Sequence, residues 1–428
     1  MPGPCQATKR NLVAADDPSA LGLPERIKRL AVTVKGRRAG ELLRESHCGF
    51  WYGEVEPHDA ISLTMPTAQT EWDDGDLFPV MDMNLPEGWL FQRIVERAGK
   101  TVLTKMHLLA LMRDNGVGRL GYWQQGDAAP PPVKPVPREA LMRSAASQVF
   151  EQLVDAYMGQ SIGVAGVQPK LMLPSRASTP VPDLIVKTAG ADFPGLAANE
   201  YLCLSAAKAA GLQVPVFALN DDASMLLIDR FDLEDNSQRL GFEDIAALMG
   251  LRVHDRLSNR KYVGSYEDVA EVVRLMGGRH VKDNLSRLYE QIVLSLMVRN
   301  GDAHLKNFGL LYDDPAHPWL SPLFDVVTTS IYRIERPGGV QDVDRTMALK
   351  LRRGKRGGSR AYPTTEELVA FGRECCGVRE PMDAIRRIAD GMRETLVAAA
   401  SDGRIGRELW ASMREQWFIG VAHAGAPI

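Results

Sequence analysis

The sequence has few cysteines and none that pair by spacing: Cys5, Cys48, Cys203, Cys375 and Cys376 are its five, and no two form a C-x-x-C. Such a set excludes a disulfide ladder and a cysteine zinc site, and it predicts reduced intracellular thiols. Nor is there any run of 18 apolar residues, which excludes a membrane-spanning helix. Lys9 and Arg10 are followed by only four apolar residues before Asp16 and Asp17, too few for a secretory leader. The expectation is a cytoplasmic protein. An excess of one charge is also missing: 51 basic and 54 acidic residues leave −3. Long-range attraction to nucleic acid or to an anionic membrane is therefore not expected. No internal repeat is found.

What is present is an ordinary globular composition, 45% hydrophobic and 25% charged over 428 residues. At about 150 residues per domain, that length predicts two to three domains. Residues 1–26 are small, polar and proline-containing, and read as a flexible N-terminus. Residues 27–125 carry short strand-like runs: Leu30-Ala31-Val32-Thr33-Val34, Gly49-Phe50-Trp51-Tyr52 and Ile61-Ser62-Leu63-Thr64-Met65. Helical spacing follows from Trp89 to about Ala98 and from Met106 to Met112. Residues 126–138 hold five prolines, Pro130, Pro131, Pro132, Pro135 and Pro137, and read as a stiff linker.

After the linker, residues 139–235 form a strand-containing lobe that opens with a helix over Glu139–Met158. Residues 236–428 are mostly helical. Ser265, three residues before Asp268, caps a segment bearing Val269, Val272 and Leu275. Leu285, Leu288, Ile292 and Leu296 mark a second helix, ending at Asn300-Gly301, and Ile385, Ile388, Met392 and Leu396 mark another.

Five features bear on chemistry. The first is the glycine-rich stretch Gly159-Gln-Ser-Ile-Gly163-Val-Ala-Gly166-Val-Gln168-Pro-Lys170, which matches neither G-x-G-x-x-G nor the P-loop pattern. Alone it reads as a glycine turn between a helix and a strand; the functional alternative is backbone N–H groups laid over phosphates. The second is Lys187, at the end of the apolar run Leu184-Ile185-Val186; such a lysine snorkels to solvent or holds ATP phosphates. Glu200, on the following helix-like stretch, is a partner for it. Asp302 and Asn307 then have the Asp-x4-Asn spacing of a kinase catalytic loop, and His304 between them has no second histidine within ten residues. Last comes Asp325, a lone carboxylate in Leu323-Phe324-Asp325-Val326-Val327, costly to bury unless paired or metal-bound. In this order the parts suit phosphoryl transfer.

At these residues the chain resembles the HipA family of serine/threonine-kinase toxins. The matching segments are Val164-Ala-Gly-Val-Gln-Pro-Lys170, Leu184-Ile-Val-Lys187, Asn199-Glu-Tyr201, Gly211-Leu-Gln-Val-Pro215 and Ile228-Asp-Arg-Phe-Asp232. They continue with Glu243-Asp244, Lys261-Tyr262, Asp302-Ala-His-Leu-Lys-Asn-Phe308, Phe324-Asp325 and Met347-Ala-Leu-Lys350. Leu63-Thr-Met-Pro66 and Leu85-Pro-Glu-Gly88 resemble that family's N-terminal subdomain. The resemblance implies an α+β, bilobal kinase-like fold with an extra N-terminal mixed subdomain and a mostly helical C-terminal lobe.

By the same resemblance, Asp302 is the catalytic base and Asn307 and Asp325 hold Mg²⁺. Val164, Ala165, Gly166, Val167, Gln168, Lys170, Lys187, Glu200, His304 and Lys306 face ATP, with Asp229 and Phe231 in the adenine-binding hinge. The family often has glutamate where Asp229 stands. Its regulatory autophosphorylated serine aligns with Gly163, which leaves Ser161 as the candidate for that role. The implied activity is phosphorylation of a cellular protein, such as an aminoacyl-tRNA synthetase, to restrain growth. The implied partner is a small DNA-binding antitoxin. A kinase-like scaffold serving that partner, and a kinase of small molecules or lipids, are the other readings. The basic segment Lys350–Arg360 is expected to meet protein rather than DNA, since no helix-turn-helix signature accompanies it.

Overall fold

The computed structural model describes residues 24–99, 101–127, 134–157, 168–176, 181–190, 192–234, 238–336, 340–343, 345–354 and 359–425. Its first unit is an antiparallel sheet of β1 (Arg29–Val34), β2 (Arg37–Arg44), β3 (Cys48–Tyr52), β4 (Glu71–Asp74) and β5 (Leu120–Trp123), in the order β4-β3-β2-β1-β5. The first hairpin closes through Lys35 (φ +52°) and Gly36 (φ +77°). Two left-handed residues in a row give the turn whose twist matches a two-residue hairpin. Helices α1 (Pro79–Asp82), α2 (Gly88–Ala98) and α3 (Lys105–Met112) cover the sheet, the last two where helical spacing predicts them.

Ile61–Met65, expected as a strand, is not one. The Tyr52 hydroxyl donates to the Met65 carbonyl and accepts from the Ile61 N–H, and Glu243 accepts from the Leu63 N–H. Side chains satisfy this backbone where a sheet ladder otherwise would.

The helix expected over Glu139–Met158 is two, α4 (Arg138–Met142) and α5 (Ala146–Tyr157). The break has a cause far downstream in the sequence: Asn220 donates to the Ser144 carbonyl, 76 positions away, and the Ser224 hydroxyl accepts the Ala146 N–H, 78 positions away. These side chains compete with the helix for its own groups.

The second sheet is antiparallel, β6 (Lys170–Leu173), β7 (Leu184–Thr188), β9 (Met225–Asp229) and β8 (Phe217–Leu219), in that spatial order. Its strands read as apolar runs rather than alternating ones because both faces are covered. Leu226 and Ile228 face the core that contains α6 (Leu196–Ala209), while Met225 and Leu227 face the core of the first unit. At the end of the proline-rich segment, Val136 is buried within that first core, and its N–H donates to the Pro174 carbonyl.

The rest is mostly helical: α7 (Ile245–Leu248), α8 (Tyr266–Met276), α9 (Val281–Met297), α10 (Thr365–Cys376), α11 (Pro381–Ser401) and α12 (Arg407–Val421). A small sheet of β10 (Gly241–Asp244), β11 (Gly309–Tyr312) and β12 (Trp319–Leu320) and a hairpin of β13 (Arg333–Arg336) and β14 (Val340–Val343) are set among them. Ser265 and Asp268 form the expected reciprocal cap of α8. Helices α6 and α11 cross so closely that a Cβ on Gly391 would lie 2.6 Å from the Ala210 nitrogen, which is why glycine stands there. That crossing fixes α6, and with it Glu200, against the helical lobe.

Candidate active site

The pairing of β6 with β7 sets Lys170 opposite Lys187 at one end of the second sheet. Both lysines are 5% exposed, so both need counter-charges. The Lys187 ammonium donates to Glu200 Oε1 at 2.6 Å, across from α6, and to Asp325 Oδ1 at 2.9 Å. Burial pulls Lys187 down, but Asp325 and Glu200 outweigh it and hold the ammonium above its ordinary range. Lys170 has no ion-pair partner among the described residues, and burial lowers it.

Asp325 adopts φ +56°, a left-handed conformation that costs a non-glycine residue energy and is tolerated best by Asp and Asn. Its second oxygen, Oδ2, accepts from Asn307 Nδ2 at 3.2 Å, and Asn307 Oδ1 in turn accepts the His304 N–H at 3.1 Å. Burial raises the Asp325 carboxyl, yet Lys187 and Lys170 prevail and keep it ionised well below the usual range. A strained backbone held by charged partners marks a place where position matters more than local comfort.

Asp302 follows the end of α9. Its Oδ1 accepts the Tyr262 hydroxyl at 2.6 Å, and its N–H donates to Asn300 Oδ1. Burial raises its carboxyl, against the Tyr262 bond that lowers it, and the Asp325 charge adds to the rise. His304 is buried and held well below its ordinary value, which leaves a neutral ring stacked edge-on to Tyr262. Lys170, Lys187, Glu200, Asp302, His304, Asn307 and Asp325 thus form one cluster, drawn from segments far apart in sequence.

Other candidates sit elsewhere or are engaged. Gln168 donates to the Thr188 carbonyl at the end of β7. Phe231 packs on Phe242 and on Phe324, the residue before Asp325. Asp229 is tied by an ion pair to Arg138 of α4. Lys306 pairs with Glu87 of the first unit. Ser161, Val164, Ala165, Gly166 and Val167 lie outside the described residues. Two residues without an assigned role adjoin the cluster, Tyr262 through its bond to Asp302 and Glu87 through Lys306. Both belong to segments quoted above for their resemblance, Lys261-Tyr262 and Leu85-Pro-Glu-Gly88; that membership was the only signal.

Comparison with known proteins meets this geometry from two sides. The family model of the HipA-like C-terminal domain matches residues 162–400, and that of the HipA N-terminal domain matches residues 30–123. The chain belongs to the HipA family. It is 27% identical over 191 residues to a Haemophilus influenzae protein named "Putative kinase", covering 40% of this chain and 54% of that one. It is 26% identical over 334 residues to the Sinorhizobium fredii protein "Putative kinase Y4mE", covering 72% and 78%. The chain thus spans about half the length of the first relative and more of the second.

Among solved structures, HipA of Shewanella oneidensis, in its toxin–antitoxin complex with HipB and operator DNA, superimposes with a TM-score of 0.66. Identity there is 17%, with 92% of this chain and 96% of that chain covered, so what the two share is the fold. The fold is α+β and kinase-like, two lobes with an additional N-terminal unit. No helix among the described residues is long and apolar enough to cross a membrane.

Proposed function

We propose that this HipA-family chain is an ATP- and Mg²⁺-dependent protein kinase that phosphorylates serine or threonine and restrains growth. The observation that carries the reading is Lys187 bridging Glu200 and Asp325 while Asn307 holds the other oxygen of Asp325. Buried ionisable groups with shifted protonation gather at functional sites, and here a lysine, two carboxylates and an amide converge on one another.

The donor set fits the proposed cation. An ionised carboxylate is a hard ligand, suited to Mg²⁺ rather than to a soft metal, and the Asn307 amide oxygen, which here accepts the His304 N–H, would be a second once the amide turns it toward Asp325. Asp325 and Asn307 would hold it, and its charge would offset that building on the phosphoryl oxygens. Lys187 and Lys170, side by side at the end of the second sheet, would be the cations offered to the phosphates. Glu200 keeps Lys187 from following Asp325. Asp302 accepts the proton of the acceptor hydroxyl, and Tyr262 holds its carboxylate in one orientation.

The Shewanella protein is found with a DNA-binding partner, and we extend that kind of partner to this chain. A cytoplasmic protein such as an aminoacyl-tRNA synthetase is the first acceptor to test. The full chain incubated with γ-labelled ATP and Mg²⁺ in a cell lysate should label a discrete band, identified by mass as a serine or threonine phosphoprotein. Asp325→Ala should label none and should relieve growth arrest when expressed. Equal arrest by wild type and Asp325→Ala would overturn the reading in favour of a scaffold.

A further inference from the structure

We infer that Glu87, in the first unit, is a positioning residue of the cleft: it holds Lys306 and through it the loop that bears Asp302 and Asn307. The inference rests on the kinase reading and gives the N-terminal unit a part in it.

Glu87 and Lys306 are 219 positions apart, yet Lys306 Nζ donates to Glu87 Oε1 at 2.5 Å and to the Met83 carbonyl at 3.1 Å. The side chains are 8% and 10% exposed, so this pair is no surface accident. Glu87 occupies the N-cap of α2, where a carboxylate would ordinarily accept a backbone N–H from the first turn. It makes no such bond. The carboxylate is turned instead toward the loop, and Gly88 (φ +53°) allows the chain to bend there. Burial raises the Glu87 carboxyl, but Lys306 outweighs this, with Lys261 and Lys170 adding to the effect. Glu87 therefore feels the lysines of the cleft as well as its own partner.

The consequence runs through one short turn. Lys306 lies inside Leu305–Asn307, and the next side chain, Asn307, bonds Asp325. Moving Lys306 moves the amide that fixes Asp325. Removing one partner of a buried pair leaves the other charge uncompensated, so Lys306 would be driven to a new position. Ser62 serves as a control. Its hydroxyl donates to Glu243 at 2.6 Å, docking the same unit without touching the loop.

The test uses the full chain, with Glu87→Gln, Glu87→Asp and Ser62→Ala compared to wild type. Amide hydrogen exchange over residues 302–309 is read alongside kcat and the KM for ATP. Glu87→Gln should speed exchange in that loop and lower kcat by about 10²-fold, the scale of a small misplacement, with KM little changed. Glu87→Asp, which keeps the charge but withdraws it by one methylene, should do the same more weakly. Ser62→Ala should leave loop exchange and kcat as in wild type. Unchanged loop exchange in both Glu87 variants would overturn the inference, as would equal losses in Ser62→Ala. Failure of wild type to transfer phosphate would defeat the kinase reading alone, since the exchange measurement still decides what Glu87 does.

Discussion

In the cleft, Lys187 reaches two carboxylates from different lobes, and each of the three groups is ionisable. At the seam between the first unit and the helical lobe, Arg239 is buried as deeply and has the Asp114 carboxylate 3.6 Å from Nη1, but its hydrogen bonds go to the carbonyls of Gly116, Gly118 and Leu120. Arg230 nearby does both, donating to Asp232 and to the Pro182 and Gly116 carbonyls. The difference separates function from architecture. A carbonyl cannot change its charge, so a guanidinium held by carbonyls can only brace. A lysine held by carboxylates sits in a network whose protons and partners can exchange.

The comparison is tested hardest at Asp302. Asp302→Ala should lower phosphoryl transfer by about 10³-fold, the share of a positioned base, and leave the thermal midpoint within the range of ordinary surface changes. A large loss of stability with transfer retained would place Asp302 with the bracing residues instead. Arg239→Ala should show the reverse. It takes this donor from the buried Gly118 and Leu120 carbonyls, while Gly116 keeps Arg230, and should cost about 2 to 3 kcal/mol in urea unfolding, with transfer per folded molecule preserved.

Which of these residues was legible in the sequence follows from the same distinction. Lys187, Glu200, Asp302, Asn307 and Asp325 were singled out by residue type and order along the chain, and the fold brings them together. The capped helix from Ser265 was legible because capping is local. Arg239 was not, because its hydrogen-bond partners are carbonyls, which every residue carries, and no spacing rule ties it to Asp114. The break between α4 and α5 was hidden for a related reason: Asn220 and Ser224 cause it from about 80 positions away. Ile61–Met65 has strand-like composition, but its backbone is claimed by the Tyr52 hydroxyl and by Glu243. Glu87 and Tyr262 lie between these cases, ionisable groups whose partners no spacing rule connects to them.

Asp244 sharpens the comparison further, since it is a seam residue that does titrate. It caps α7 by accepting the Ala247 N–H, and burial raises its carboxyl to about 6, against the nearby Lys306. A folded-state value above the unfolded 3.8 means the native protein binds the proton more tightly. Its contribution is therefore fully present below about pH 4 and lost as pH rises through about 6. Asp244→Asn keeps a capping oxygen without the charge. It should raise stability at pH 8 by about 2 to 3 kcal/mol and flatten the decline between pH 4 and 7. An unchanged unfolding profile across that range would show that Asp244 is not the group responsible.

Tyr262 offers the smallest effect and the finest separation. Its hydroxyl donates to Asp302 and favours the ionised carboxylate, while burial works the other way. Tyr262→Phe removes the hydroxyl and keeps the ring against His304, so packing should survive. Without that donor the Asp302 carboxyl rises further, and the base is protonated at a higher pH than in wild type. Transfer should fall by about tenfold near neutral pH, the scale of one hydrogen bond to a charged group. The acid limb of kcat should move toward higher pH, and wild-type rates should return as the medium becomes more alkaline. A bracing tyrosine would lower the rate equally at every pH. The shift of the limb, rather than the size of the loss, decides whether Tyr262 belongs to the cleft or to the seam.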